Sequence, residues 1–120
     1  NLPLNLVRAA LQGQALTFSR RDYRGVTYVR QAVQNLLPAL SLPGGVYNFG
    51  SENDADMFTT AQAFCALLGA APRLEAAAWE RCLAMDTRKA RAAGLCFDTT
   101  RDGLLRCLRD YGLRPGSGGV

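Results

Sequence analysis

The sequence predicts an α/β domain, because segments with helical periodicity alternate with short segments rich in β-branched and aromatic residues. Apolar residues make up 48% of the 120 residues and charged residues 20%, values typical of one soluble globular domain. Glycine or Pro-Gly turns separate the segments, and no internal repeat is visible. We therefore expect one domain over residues 1–113, followed by a disordered tail over 114–120.

The first elements are predicted to be a helix, a strand and a loop. The segment LNLVRAALQGQ places Leu4, Val7 and Leu11 on one helical face, with Leu6 and Ala10 beside it. Gly13 is a suitable helix stop. ALTFS, residues 15–19, has the composition of a strand. The arginine-rich RRDYRG that follows is predicted to be a loop.

A longer helix and a second strand follow. Apolar residues recur at helical spacing over 28–41, with Thr27 as the expected N-cap. Pro38 lies inside this pattern and should kink or end the helix nearby. After the LPGG turn, GVYNF at 45–49 has the composition of a strand.

The next helix begins after an acidic loop and is followed by a weaker strand signal. DMFTTAQAFCALLG has an apolar face, Asp56 can cap its first turn, and Gly69 ends it. We interpret Asp54 as loop surface, because a lone pair of aspartates at a helix start is typical of capping rather than acid–base chemistry. Residues 74–77 can form another short strand.

Two further helices complete the prediction. MDTRKARAAGL is predicted to be a short helix with Asp86 as N-cap and Gly94 just past its end. In the last helix, Thr99 and Asp102 form a capping-box pattern with Asp in place of Glu or Gln, and Gly112 is the stop.

The distribution of charged residues bears on which class of ligand the chain binds. The net charge is +4, but acidic residues interrupt both basic clusters, which favours solvated surface over nucleic-acid binding. The alternative is a small ligand that carries phosphate, since arginine forks suit phosphate oxygens. The clusters are Arg20, Arg21 and Arg24 around Asp22, and Arg88, Lys89 and Arg91 beside Asp86.

Histidine is absent, and none of the four cysteines forms a C-x-x-C pair. Zinc sites and Ser-His-Asp or Cys-His catalysis are therefore disfavoured. We expect reduced core cysteines, with Cys65 and Cys107 on apolar helix faces, in a cytoplasmic protein. Neither a membrane span nor a signal-peptide pattern is visible.

The sequence contains no G-x-G-x-x-G turn, no P-loop and no Tyr-x-x-x-Lys pair. A self-contained dinucleotide site or hydride-transfer centre is therefore not expected in these residues. We predict no catalytic, cofactor-binding or metal-binding residues in this chain.

Several segments, in order, resemble the C-terminal part of dTDP-4-dehydrorhamnose reductases and related extended short-chain dehydrogenases. The opening NLVRAALQGQALTF is followed by DYRGVT in place of a D-Q-x-G-x-P-T loop, and TYVRQAV in place of T-Y-x-x-D-L-A. GVYN matches a G-x-Y-[HN] strand, MDTRKARAAGL matches L-D-x-x-K, and TTRDGLLRCLRDYGL matches the closing helix. The chain departs from the pattern in a first loop shorter by one residue, and at Val26, Gln31 and Cys82.

The resemblance implies the substrate-side part of a Rossmann-type enzyme, without the glycine-rich cofactor half. The parent enzyme would use NAD(P)H to reduce the 4-keto group of a nucleotide-linked sugar, and this fragment alone would bind no cofactor and be inactive. The substrate-binding residues implied are Arg24, Thr27, Asn48, Ser51 and Arg81. An exposed surface arginine is an alternative interpretation of Arg81.

Two other functions stay open. One is a nucleotide-sugar epimerase or dehydratase of the same superfamily, and the other is a non-catalytic regulatory or interaction subunit on the same fold. In each case the faces of 28–41 and 45–49 would pack on a missing cofactor domain. We therefore expect self-association or a partner chain, and neither nucleic acid nor membrane as partner.

Overall fold

The computed structural model describes residues 2–69 and 71–113, and it confirms the α/β alternation. The predicted tail over 114–120 lies outside the described residues. In chain order, the elements are α1 (Leu2–Gln12), β1 (Ala15–Ser19), β2 (Asp22–Arg24), α2 (Val29–Gln34), α3 (Leu36–Leu40), α4 (Met57–Leu68), β3 (Arg73–Ala77), β4 (Arg81–Leu83), α5 (Arg88–Ala92) and α6 (Thr100–Asp110).

The strands form two short parallel pairs: β1 pairs with β3, and β2 pairs with β4. Because β2 follows β1 and β4 follows β3 along the chain, the two pairs lie end to end. Between the pairs, the Arg20 amide donates to the Ala77 carbonyl at 3.0 Å, and the Arg81 amide donates to the Arg21 carbonyl at 3.1 Å. The four strands therefore make one interrupted parallel ribbon. The weakly indicated strand β3 is confirmed.

The core lies where α1, α4 and α6 meet the ribbon. Phe64 of α4, Leu6 of α1 and Leu108 of α6 are each 2% exposed or less. Leu16, Phe18 and Leu74 of the ribbon pack against this cluster from the other side. The apolar faces predicted for α4 and α6 are largely the faces that the fold buries. The face predicted for α1 is wrong, because Leu4 and Leu11 are 46% and 82% exposed and α1 buries Leu6 and Ala9 instead.

The loop predicted for RRDYRG is wrong in its centre, because residues 22–24 form β2. Strand formation here depends on β4, which lies far away along the chain. The Cα partners are Asp22 with Arg81 and Arg24 with Leu83. A three-residue strand carries too little periodicity to be visible in the sequence.

The helix predicted over 28–41 is two helices, α2 and α3, separated at Asn35. The Asn35 side chain donates to the Gln31 carbonyl at 2.8 Å and to the Cys96 carbonyl at 2.9 Å, and its oxygen accepts from the Cys96 amide at 2.8 Å. This anchoring fixes the break. Pro38 lies in the first turn of α3, where a missing N–H removes no intrahelical bond.

Two predicted N-caps are wrong by one residue. Tyr28, not Thr27, is the N-cap of α2, and Thr87, not Asp86, is the N-cap of α5. The Asp86 carboxylate instead accepts from the backbone and side chain of Arg88. The Thr27 hydroxyl instead accepts from the Ser51 amide, and the N-cap residues Tyr28 and Thr87 form no side-chain cap bond.

The strand predicted at 45–49 is wrong, since no strand is assigned there. The Val46 carbonyl accepts from Lys89 Nζ at 2.8 Å, and Phe49 packs edge-to-face on Phe97 with ring centroids 4.8 Å apart. The segment is therefore held by side chains, and none of the strands in the described residues pairs with it. The composition of GVYNF is typical of a strand, but strand formation also needs a pairing partner, and composition carries no information about one.

The remaining caps are confirmed. Asp56 Oδ1 accepts from the Thr59 amide at 2.8 Å at the start of α4, and Gly69 ends that helix with φ of 75°. At the start of α6, Thr99 Oγ1 accepts from the Asp102 amide at 3.3 Å. These signals are local in sequence, which is why they could be predicted.

All four cysteines are free thiols. Cys65 is buried, and burial raises the pKa of its thiol. Cys107 is half-buried, but Cys82 and Cys96 are exposed, so the expectation of core cysteines is wrong for these two. Within residues 2–69 and 71–113, no cluster of three potential metal ligands occurs, and no helix is long and apolar enough to cross a membrane.

Candidate functional site

The carboxyl end of β2 leads into a loop that meets residues 50–53, and we call this contact the loop junction (residues 24–28 and 50–53). The Ser51 amide donates to Thr27 Oγ1 at 2.9 Å. The Asn53 side chain donates to the Arg24 carbonyl at 3.1 Å. Gly25 makes the approach possible, because a Cβ atom there would lie 2.0 Å from the Ser51 carbonyl oxygen. Ligands of α/β proteins bind at carboxyl ends of parallel strands, which favours this position for a site.

Residues at the starts of helices α5 and α6 hold the loop junction in place. Glu52 Oε1 accepts from the amide of Thr87 at 2.9 Å and from its hydroxyl at 2.5 Å. These hydrogen bonds hold the pKa of the Glu52 carboxyl below its usual range. The Glu52 carbonyl accepts from the Thr100 amide at 2.8 Å, and Thr100 Oγ1 accepts from the Val26 amide at 3.0 Å. The loops are therefore fixed by backbone and side-chain bonds to both helix starts.

Two arginines converge on one buried carboxylate beside the loop junction, and we call them the arginine pair (Arg24 and Arg81). Arg81 donates from Nε at 2.9 Å and from Nη2 at 2.7 Å to the two oxygens of Asp22. Arg24 Nε lies 3.8 Å from Asp22 Oδ2. The hydrogen bonds from Arg81 hold the pKa of Asp22 below its usual range, although burial opposes this shift.

The structure brings three of the five implied substrate residues into the loop junction, namely Arg24, Thr27 and Ser51. Arg81 joins them through Asp22. Asn48 lies apart, because its side chain is exposed and donates to the Asp86 carbonyl at 2.8 Å. Asn48 therefore fastens the preceding segment to the start of α5. Ligand contact by any of the five stays a prediction.

Two polar atoms at the loop junction are buried without a hydrogen-bond partner in the described residues: Arg24 Nε and Ser51 Oγ. Ser51 is 0% exposed. Buried polar groups are nearly always paired, so unpaired ones are informative. The partly exposed side chains of the arginine pair, at 40% and 44%, carry the positive charge that suits this region to an oxygen-rich anion.

Sequence reasoning missed the residues that organise the site, which are Asp22, Asn53 and Thr100. Asp22 had a signal in the sequence, an acid among arginines, but it was interpreted as an interruption of a basic cluster. Asn53 and Thr100 form bonds to Arg24 and Val26 across large sequence separations. Nothing local to either residue indicates these partners.

Three other basic residues of the two predicted clusters are engaged with groups outside the loop junction. Arg21 forms an ion pair with Glu80, and the Arg20 guanidinium lies 4.2 Å from the centroid of the Phe58 ring. Lys89 Nζ lies 4.5 Å from the centroid of the Tyr47 ring. The lysine therefore contacts the ring face of a tyrosine, and the Tyr47 hydroxyl donates to the Pro43 carbonyl at 3.0 Å. This is not the arrangement of a proton-donating pair.

An apolar groove of about 590 Å³ opens beside the loop junction. Residues 26–28 belong to both, and the remaining walls come from α1, the start of α2, α4, α6 and the residues just after α6. The residues that line it include Leu4, Val7, Val29, Leu104, Cys107 and Tyr111. Several of these side chains are strongly exposed, Val29 at 66% and Tyr111 at 68%. The groove is thus continuous with exposed apolar surface.

No protein-family profile and no curated protein sequence matches the chain. Solved structures do match, and they define an α/β fold with parallel strands that corresponds to part of NAD(P)-binding Rossmann-type reductases. A dTDP-4-dehydrorhamnose reductase from Bacillus anthracis in complex with NADP matches with a TM-score of 0.71 and 14% identity over 92% of this chain. The predicted resemblance is therefore confirmed at the level of the fold.

Two further structures match over the same 92% of the chain. MoeE5 in complex with UDP-glucuronic acid and NAD matches with a TM-score of 0.65 and 21% identity. The Bordetella bronchiseptica enzyme WbmH in complex with NAD+ matches with a TM-score of 0.63 and 16% identity. The chain covers 42%, 42% and 40% of the lengths of these three proteins. It therefore spans about two-fifths of the structures that it matches.

Proposed function

We propose that the chain is the substrate-side part of an NAD(P)H-dependent nucleotide-sugar reductase similar to dTDP-4-dehydrorhamnose reductase. The observation that carries the proposal is the agreement of the fold with such a reductase over 92% of the chain, at a TM-score of 0.71. The loop junction and the arginine pair supply surface suited to a nucleotide sugar at the carboxyl end of β2. The domain extends over residues 1–113.

Each implied residue has a role in this proposal. Arg24 and Arg81 face the diphosphate, since guanidinium groups match phosphate oxygens in geometry and charge. Thr27 and Ser51 contact hydroxyl groups of the nucleotide or sugar at the loop junction, and Asn48 does so from outside it, beside the start of α5. These residues bind and orient the substrate, whereas the cofactor and the proton donor belong to another part of the enzyme. The chain alone is inactive and binds no cofactor.

The same proposal assigns the apolar stripe on α2 and α3 to packing on a cofactor domain, or to self-association when that domain is absent. The stripe follows helical spacing and is exposed along its length. Its residues, with exposed fractions, are Val29 (66%), Val33 (59%), Leu36 (54%), Leu37 (76%) and Leu40 (81%). A cytoplasmic location agrees with a nucleotide-sugar substrate.

Ligand titration tests whether this chain binds the nucleotide sugar and leaves cofactor binding to another part of the enzyme. A deoxythymidine diphosphate sugar, added to the 120-residue chain, should shift NMR resonances of residues 24–28 and 50–53. NADPH followed by fluorescence should show no saturable binding. Tight NADPH binding, or shifts confined to other surfaces, would contradict the proposal.

The coding sequence upstream of Asn1 tests the catalytic part. A glycine-rich turn and a Tyr-x-x-x-Lys pair there would support an active reductase, whereas loss of the Tyr or Lys would favour a non-catalytic subunit. A nucleotide-sugar epimerase or dehydratase of the same superfamily is the second candidate, and the fold agreement with MoeE5, solved with UDP-glucuronic acid and NAD, is compatible with it. Product analysis of the full-length enzyme with a 4-keto sugar nucleotide and NADPH distinguishes that candidate from a reductase.

A further inference from the structure

Asp22 lies at the centre of the arginine pair, yet the sequence resemblance assigned it no role. Its side chain is 2% exposed, whereas those of Arg24 and Arg81 are 40% and 44% exposed. The carboxylate therefore lies inside, and the guanidinium groups extend from it toward solvent. An ionised carboxylate at this depth requires strong partners, and the two arginines are those partners.

The contact geometry fixes one guanidinium more firmly than the other. Arg81 uses Nε and Nη2 in a side-on fork, which sets both the position and the plane of its guanidinium. Arg24, with Nε at 3.8 Å, is held by charge without a direct hydrogen bond. Two positive charges therefore share one negative charge, and one positive charge stays uncompensated on the exposed side.

Strand register places the three side chains on the same face of the ribbon. Asp22 and Arg81 are directly opposite partners in the β2–β4 pair. Arg24 follows Asp22 by two residues on the same strand, so both side chains point to one side. Gly25 then brings Ser51, with its buried and unpaired hydroxyl, against the end of this strand.

We propose that Asp22 is the positioning residue of a phosphate-binding site formed by Arg24 and Arg81. The proposal rests on the proposed function and deepens it, because it names the residue that orients the two arginines toward the diphosphate of the nucleotide sugar. Asp22 itself does not touch the ligand. It holds the Arg81 fork so that the outer N–H donors of both arginines face one anion.

The alternative is that the fork only fastens β2 to β4, which have three residues each. The two interpretations predict opposite signs for Asp22→Asn. This change removes a negative charge near the site, so a purely electrostatic effect would make anion binding tighter. Loss of positioning would instead make it weaker, because an amide cannot accept both donors of the fork.

The experiment titrates inorganic pyrophosphate into the 120-residue chain and follows binding by calorimetry and NMR. We expect Asp22→Asn and Arg81→Lys each to weaken binding about tenfold, because lysine keeps the charge but loses the planar fork. The matched control is Asp86→Asn, which removes an equivalent charge from a fork with Arg88 on the exposed surface. Its pyrophosphate affinity should be unchanged or slightly increased.

Each outcome of these titrations either supports the proposed phosphate-binding site or overturns it. Equal or tighter binding by a folded Asp22→Asn variant overturns the proposal, as does the absence of pyrophosphate binding by the unsubstituted chain. If Asp22→Asn does not fold, Arg81→Lys decides, and unchanged affinity in that variant overturns the proposal. Pyrophosphate binding with the expected losses, but without binding of a nucleotide sugar, would support the site and contradict the proposed function. Nucleotide-sugar binding that is insensitive to both substitutions would support the proposed function and contradict the phosphate-binding site.

Discussion

At the scale of single residues, the fold depends on polar side chains whose partners lie far along the chain. Tyr28 begins α2 and is 8% exposed, and its hydroxyl donates to Asp110 Oδ2 at 2.8 Å. Burial raises the pKa of Tyr28 to about 12, and the hydrogen bond to Asp110 adds to this shift. One residue thereby joins the start of α2 to the end of α6.

This pKa predicts a loss of stability in alkaline solution. The folded state holds the phenol proton more tightly than the unfolded chain, whose tyrosine has a pKa near 10.0. The stabilisation is therefore complete below pH 10 and is lost as the pH rises toward about 12. Tyrosinate absorbance should show a step near pH 12 that Tyr28→Phe abolishes and Tyr111→Phe, at a 68% exposed position, retains. Loss of the step in the Tyr111 variant would contradict the assignment.

At the scale of elements, a local signal predicted the start of α4. Asp56 caps that helix, with both carboxylate oxygens accepting from Thr59. We expect Asp56→Ala to lower the free energy of unfolding by about 1 kcal/mol. Asp54→Ala, at an exposed loop position, should change it by less than about 0.5 kcal/mol. Urea denaturation measures both, and equal losses in the two variants would contradict the separation of cap from loop surface.

The loop junction gives a second prediction at this scale. Gly25→Ala would place a methyl group 2.0 Å from the Ser51 carbonyl oxygen, so the two loops must separate. We expect a loss of at least about 2 kcal/mol in unfolding free energy, as for other overpacked sites. Gly44→Ala is the matched control, because nothing lies within 4 Å of its added methyl group and, like Gly25, it has no positive φ. A neutral Gly25→Ala would show that the junction is looser than described.

The sequence predicted features that depend on contacts local along the chain, and it did not predict features that depend on distant partners. The caps at Asp56 and Thr99 depend on residues three positions away, and both were predicted correctly. The bond between Asp22 and Arg81 spans 59 positions, and without it β2 and the centre of the arginine pair could not be foreseen. The resemblance nevertheless indicated four residues that the structure places at or beside one junction, because ordered motifs carry information about distant contacts.

At the scale of the whole molecule, the chain forms a thin slab. Its principal extents are 48 × 38 × 17 Å, and its radius of gyration is 15.7 Å. A compact domain of this length has a radius of gyration of about 13.5 Å. A slab of this thickness accommodates one layer of helices on the strand ribbon, so one face of several elements stays uncovered. The stripe on α2 and α3 and the apolar groove are parts of that uncovered surface.

The final prediction concerns how this surface behaves in solution. Burying a leucine side chain contributes about 1.5–3 kcal/mol, so covering the five-residue stripe favours association. We expect the average mass in sedimentation to rise with concentration. Leu37→Glu, at a 76% exposed position in the stripe, should weaken association at least about tenfold, because the charge would have to be desolvated in the contact. Gln34→Glu adds the same charge at an exposed polar position of α2 and should leave association nearly unchanged. A chain that stays monomeric at high concentration would contradict the prediction, and equal effects of the two substitutions would place the contact elsewhere.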